Sequence, residues 1–268
     1  MLDEMLDDFL TRGWVRFAVD PATRAWADHA RHHSLSAIHD PQHAPWMQCQ
    51  GTWFIGVDAL DNAASGQLPG GPPLAGPALE FIKNHIGPIP QLHKGQLSVM
   101  LPGYPKPRDG EGEAAFRYRL NRDAAHVDGV KLIPGAATRR RNVDEPHAWV
   151  LGLPLNGASA DASPLVVWEG SHAIMRDAFA AVLNDHDPTT WAQIDITDAY
   201  TSARAKVFET CERVTVHAQP GEAYLMHRLA LHGVAPWGAA ASAPPGEGRM
   251  IAYFRPEVTS LADWLTAP

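Results

Sequence analysis

From about residue 95 onward the chain is a succession of short apolar runs: "GQLSVMLPG", "AAFRYRL", "HAWVLGLPL", "SPLVVWEG", "ERVTVHA", "EAYLMHR" and "RMIAYFRPE". Each is bounded by Gly, Pro, Asn or Asp, which end regular structure, and each has the length of a strand rather than a helix. Parallel strands need a crossover of a dozen or more residues, usually helical. Here most runs follow one another without a helical pattern between them. The spacing therefore predicts an antiparallel sandwich or barrel rather than a doubly wound sheet. One helix interrupts the series near 171–183, and 187–206 carries no decisive period.

The first 94 residues read differently. Leu2, Leu6, Phe9 and Leu10 fall at helical spacing with aspartates between them, Gly13 stops that helix, and "WVRFAV" reads as a strand. A second helix is expected from Pro21 to His33, with proline in its first turn. "GQLPGGPPLAGP" is a loop, and "ALEFIKNHIG" resumes a helix that ends at Gly87. The expected organisation is one domain over 1–268, with a mainly helical layer (1–94) laid on a β core (95–258). The fold class is thus mostly β with flanking helices.

Composition narrows the function classes. A formal charge of −8 argues against nucleic acid as the main partner. No apolar run approaches the roughly 20 residues of a membrane span. The acidic, amphipathic start is unlike a signal peptide. The two cysteines, Cys49 and Cys211, are too isolated for a zinc cluster or redox pair and read as reduced thiols of a cytoplasmic protein.

Within "AAHVDGV", His126 and Asp128 stand two apart, so on a strand both side chains share a face. A chain with 14 histidines contains about one His-x-Asp by chance, so the pair means little without a third ligand. Imidazole and carboxylate suit a divalent first-row metal, and two histidines with one carboxylate on one face leave three positions open, as in non-haem Fe(II) oxygenases. The third ligand is sought downstream, at His227 or His232 in "PGEAYLMHRLALHGVAPW". "EAYLMHR" reads as one strand and "LAL" as a turn, which places His232 at the start of the next. After the loop "GAAASAPPGEG", Arg249 opens the returning strand, where a guanidinium could clamp a carboxylate.

The order His-x-Asp, "PLVVWEGSH", "PGEAYLMH…LHG" and an arginine opening the last strand resembles the phytanoyl-CoA dioxygenase-like family over residues 95–258, with a weaker echo in "FLTRGWVRF". The resemblance implies a double-stranded β-helix (jelly-roll, cupin-like) core. It implies His126, Asp128 and His232 as iron ligands and as the catalytic centre, and Arg249 as the anchor of 2-oxoglutarate. The implied cofactors are Fe(II), 2-oxoglutarate and O2. The implied reaction hydroxylates a C–H bond of a small molecule and releases succinate and CO2. A carboxylate at 128, where related halogenases carry a small residue, implies a hydroxylase, or another C–H oxidation, rather than a halogenase. Two features depart from the family pattern: Val234 stands where a Ser or Thr is common, and the loop before Arg249 is long. Arg255, of the same facing parity, is the alternative anchor. A cupin-like metalloenzyme without 2-oxoglutarate, or a non-catalytic sensor, would share the scaffold.

Other features have plainer readings. "HARHH" at 29–33 is expected to be helical and solvent-facing. His172 either lines the pocket or caps the following helix with Ser171. "TRRRN" at 138–142 is expected to be a solvated basic face, or, with Lys94, Lys106, Arg117 and Arg119, a receiver for an anionic substrate. Tyr118, Trp149, Trp168 and Tyr224 are expected in the core.

Overall fold

In the computed structural model, which describes residues 2–133 and 140–268, the helices are α1 (Leu2–Arg12), α2 (Pro21–Ile38), α3 (Pro77–Phe81), α4 (Glu113–Leu120), α5 (Ser171–Leu183), α6 (Thr197–Thr210) and α7 (Asp263–Thr266). The strands are β1 (Trp14–Phe17), β2 (Met47–Gln48), β3 (Trp53–Gly56), β4 (Gln96–Met100), β5 (Val130–Ile133), β6 (Arg140–Val143), β7 (Trp149–Pro154), β8 (Leu165–Trp168), β9 (Arg213–Val216), β10 (Ala223–His227), β11 (His232–Val234) and β12 (Arg249–Phe254).

The large sheet runs in the order β1-β10-β7-β12-β4-β3-β2 and the small one β11-β8-β9, with β5 and β6 forming a separate ribbon. Every pair of strands is antiparallel. The non-consecutive neighbours β1-β10, β10-β7, β7-β12, β12-β4 and β11-β8 wrap the chain from sheet to sheet as a jelly roll. Three strands of the large sheet, β1 to β3, come from the first 94 residues, so the N-terminal segment extends the sheet as well as covering it.

Alternation decides which side chains face where. In β7, Trp149, Leu151 and Leu153 join the apolar layer under α1 and α2, whereas Val150 points between the sheets. In β12, Met250, Ala252 and Phe254 face the helices, while Ile251 and Tyr253 face inward. In β8, Leu165 and Val167 face inward, while Val166 and Trp168 pack against the layer of α5 and α6. Both faces of these strands are covered, so their sequences are almost continuously apolar. The inner space receives only the odd-numbered side chains of β12, the group that includes Arg249.

Local chemistry explains the helix boundaries. Asp20 caps α2 by accepting from the Ala22 and Thr23 amides, both at 2.9 Å, with Pro21 just behind it. The segment 187–206, without a clear period in sequence, forms a 3-10 turn and then α6. "AAFRYRL" corrects the strand expectation: it is α4, none of whose residues is buried. Its apolar-polar alternation has no sheet to face. Helix-favouring Ala and Arg, a first-turn Glu113 and last-turn Arg117 and Arg119 decide the conformation. Tyr118 on this helix is 52% exposed, against expectation, while Trp149, Trp168 and Tyr224 are core residues as expected. Both cysteines are free thiols. No described helix is long and apolar enough to cross a membrane.

One buried cation ties the C-terminus to the sheet. Arg228, just after β10, donates to the carbonyls of Ala148, Asp263, Trp264, Ala267 and Pro268 at 2.6–3.1 Å. Arg228→Ala would leave these buried acceptors without a donor. Urea denaturation should show a loss of about 3 kcal/mol or more. A loss under about 1 kcal/mol would mean that the C-terminal helix is held by its apolar contacts alone.

Candidate metal centre

The loop that follows α4 brings His126 against the first residue of β11. His126 and His232 exchange both backbone hydrogen bonds: the His126 amide donates to the His232 carbonyl at 2.8 Å, and the His232 amide returns the bond at 3.0 Å. This pair adds the 126–128 segment to the small sheet as a fourth, single-bridge strand. The ring centroids lie 4.5 Å apart, and Asp128, two residues on, turns its carboxylate to the same side. One ligand atom from each of His126, Asp128 and His232 falls within 4.8 Å of the others, the sole such group among the described residues. Asp128 Oδ1 is 3.3 Å from His126 Nε2 and Oδ2 is 3.8 Å from His232 Nε2.

Glycines permit this approach. Gly129 has φ +76°, and a Cβ there would sit 2.0 Å from the Glu145 carbonyl oxygen. A Cβ at Gly233 would meet the Asp123 carbonyl oxygen at 2.1 Å. Either substitution would push a ligand-bearing segment away from its neighbour.

The hydrogen bonds behind the rings fix their tautomers. His126 Nδ1 lies 3.0 Å from the Ala124 carbonyl oxygen, and His232 Nδ1 lies 3.0 Å from that of Ala230. A carbonyl only accepts, so Nδ1 carries the proton in each ring and Nε2 turns a lone pair toward Asp128. This is the outer-shell pattern of a metal-binding histidine. Burial pushes the His232 imidazole down to about 4, against the pull of Asp128, and keeps it neutral at physiological pH. Burial alone would raise Asp128, but the adjacent Arg255 guanidinium opposes it, and the carboxyl lies well below its ordinary range. Two neutral nitrogen donors and one ionised oxygen donor, converging at the edge of a cavity, fit a divalent cation.

That cavity, about 280 Å³, lies between the sheets. The triad lies on its wall, with Gln96 and Ser98 from β4, Tyr253 and Arg255 from β12 and its extension, and Val234. Arg255 Nη1 is 3.4 Å from Asp128 Oδ2, and Nη2 donates to Gln96 Oε1 at 2.6 Å. Arg249 lies elsewhere: it is buried with Tyr224 and Ile251 at a separate narrow cavity, and its Nη1 has no hydrogen-bond partner. Tyr224 connects the two places, since its hydroxyl donates to the Tyr253 hydroxyl at 2.7 Å. Of the four residues singled out in sequence, three meet at one point, and the fourth lies behind a tyrosine pair.

The other candidates resolve differently. His227 ends β10 beneath the N-terminal layer, against Phe9 and His172, and is not at the cavity. His172 neither lines the cavity nor caps α5: its Nε2 bonds the Leu10 carbonyl, and Ser171 Oγ accepts from the Leu231 amide. His29 and His33 stack on helix α2 without a carboxylate partner in a metal group. Lys94, Arg117 and Arg119 are already paired with Asp61, Glu113 and Glu111, and neither they nor Lys106 reach the metal cavity, so they form no receiver for an anion there. Arg140 pairs with Asp195, and Arg141 lies over the Tyr200 ring, while Thr138 and Arg139 lie outside the described residues. Sequence reading missed Gln96, Ser98 and Tyr253. Strand parity carried their signal, since they sit on alternate positions of strands already assigned to the core.

No protein-family model and no curated protein matches the sequence. Solved structures do match in shape. AviO1 from Streptomyces viridochromogenes Tue57 superposes with a TM-score of 0.52 at 15% identity, over 97% of this chain and 96% of that one. The non-heme alpha ketoglutarate dependent carbocyclase SnoK from nogalamycin biosynthesis gives 0.52 at 12% identity, over 94% and 83%. The epimerase SnoN in complex with Fe3+, alpha ketoglutarate and nogalamycin RO gives 0.50 at 14% identity, over 98% and 88%.

Acidification tests the buried neutral ring. Between pH 6.5 and about 4 the unfolded chain binds a proton at position 232 that the folded metal-free protein refuses. Stability is therefore lost as pH falls through that window, by about 1.4 kcal/mol per pH unit for such a histidine. His227 and His172, also lowered by burial, act in the same sense. Urea denaturation from pH 7.5 to 5 should show the decline, and His232→Gln should flatten part of it; an unchanged slope in the variant would show that the ring is protonated in the folded protein. Identities of 12–15% carry fold and nothing finer, and at that level the chain shares its jelly-roll framework with non-heme α-ketoglutarate-dependent enzymes.

Proposed function

We propose that this chain is an Fe(II)- and 2-oxoglutarate-dependent oxygenase that hydroxylates a C–H bond of a small-molecule substrate. The observation that carries the reading is the convergence of two Nε2 lone pairs and one carboxylate on a single point of a cavity wall. In this reading His126, Asp128 and His232 hold the iron on one face and leave the cavity side open. When bound, the metal and 2-oxoglutarate would supply the chemistry that reduces O2, one oxygen atom ending in succinate, released with CO2, and the other in the hydroxylated substrate. The protein's own part is positional. The two backbone bonds between His126 and His232 fix the ring spacing, Arg255 and Gln96 restrain the Asp128 carboxylate, and Val150, Leu165 and Val234 keep the inner cavity apolar.

Arg249 is the proposed anchor for the far carboxylate of 2-oxoglutarate. Its buried, unpartnered Nη1 is a donor in want of an acceptor, in a narrow cavity behind the Tyr224–Tyr253 pair. Arg255 suits this role less well. It touches Asp128 directly, whereas the far carboxylate of a chelated five-carbon diacid lies a chain length from the metal. Two tyrosines stand between Arg249 and the metal cavity, so the reading requires the Tyr253 ring to shift or to share the carboxylate. The carboxylate at 128 supports hydroxylation over halogenation, since a halide would need the place it fills. SnoK and SnoN bear the names of a carbocyclase and an epimerase, so the same framework carries outcomes other than hydroxylation.

Anaerobic addition of Fe(II) and then 2-oxoglutarate should produce a visible metal-to-ligand charge-transfer band with one equivalent of each. Asp128→Ala should lose iron binding. Arg249→Ala should keep iron and weaken 2-oxoglutarate by about 100-fold, the loss of one charge-assisted bidentate contact. No band in the wild-type protein refutes the cofactor assignment. An unchanged band in Arg249→Ala, lost instead in Arg255→Ala, transfers the anchor to Arg255.

A further inference from the structure

A second cavity of about 360 Å³ adjoins the metal cavity and shares Val57 and Arg255 with it. Its wall is built rather than loose. The 146–148 segment pairs with 256–258 beyond the ends of β7 and β12, through the Ala148 amide to the Pro256 carbonyl at 2.7 Å and the Val258 amide to the Pro146 carbonyl at 2.8 Å. Three carboxylates line it, Asp58, Glu145 and Glu257, against the single cation Arg255. Its carboxylates outnumber its guanidinium three to one, and Arg255 is already engaged by Asp128 and Gln96.

Two histidines complete the wall. His93 Nε2 accepts the Arg255 amide at 3.1 Å, which puts the ring proton on Nδ1, 3.4 Å from Asp58. The His147 side chain is 5% exposed, yet neither ring nitrogen has a hydrogen-bond partner, and Nε2 approaches Glu145 Oε2 only to 3.5 Å. A buried imidazole without partners on the wall of a cavity is incomplete without a ligand. The ligand atoms here do not converge as a metal group does among the described residues, so the space suits a larger cation than a metal ion. An anion is opposed by the three carboxylates.

We propose that this second cavity is a substrate subsite for a protonated amine, held between Glu145, Glu257 and Asp58 and hydrogen-bonded to His147. The bond to be oxidised then lies on the other side of Arg255, in the metal cavity. The inference rests on the oxygenase reading for the word substrate, but the cation site stands on its own geometry.

The test uses the metal-free 268-residue chain and three probes of one chain length: n-butylamine, n-butanol and butyrate. Histidine side-chain NMR should show the amine shifting the His147 and His93 resonances with a Kd at least tenfold lower than either other probe. The double variant Glu145→Gln, Glu257→Gln should raise the amine Kd about tenfold, and Glu257→Gln, at an exposed position, gives a partial effect should the double variant fold poorly. Equal binding of butanol or butyrate, or an unaltered amine Kd in the folded variants, overturns the subsite. Iron and 2-oxoglutarate titration of the same variants separates the two readings. A band that persists while amine selectivity fails removes only the subsite, and a missing band in the wild-type protein removes only the cofactor assignment.

Discussion

The reciprocal backbone hydrogen bond between His126 and His232 joins residues 106 positions apart and sets the spacing of everything at the site. An antiparallel pair that exchanges both bonds has little freedom in register, because a slip of one residue turns every side chain to the other face. Both imidazoles therefore leave the backbone on one side, 4.5 Å apart, and Asp128 follows because it is two residues from His126. Gly129 and Gly233 let neighbouring carbonyls come close enough for the pair to form. The jelly roll supplies the partner strands; this single bridge sets how the three side chains converge.

Electrostatics around the site are arranged in layers. Backbone carbonyls of Ala124 and Ala230 orient the rings from behind, and Arg255 with Gln96 orients the carboxylate from the side. The apolar layers beneath the large sheet and behind the small one keep these polar contacts in a medium where they are strong. Arg228 does similar work for the C-terminal segment, spending its donors on carbonyls rather than on an acid. Cavity wall and chain terminus are thus both fixed by charged donors to buried acceptors.

The strands of the core were legible because their composition obeys a simple rule: residues covered on both faces must be apolar, and turn residues must end each run. His126, Asp128 and His232 were legible as a pattern of order, although His-x-Asp alone has no weight. α4 was misread because "FRYRL" alternates as a strand does; that none of its residues is buried against a sheet is invisible in sequence. His172 and Ser171 were misplaced for a related reason. Their partners, Leu10 and Leu231, lie 162 and 60 residues away, and no local spacing reports on such contacts.

By itself the sequence determined the antiparallel class, the strand alternation and the residue types able to hold a divalent metal, since these follow from local period and donor chemistry. Tertiary structure alone decided that three of those residues meet while His227 does not, because convergence depends on strand register. It also placed Arg255 beside Asp128 and Arg249 behind the Tyr224–Tyr253 pair, although both arginines have the same parity on one strand. Parity fixes the face on which a side chain emerges; distance along the strand, and what packs between, fixes what it can touch.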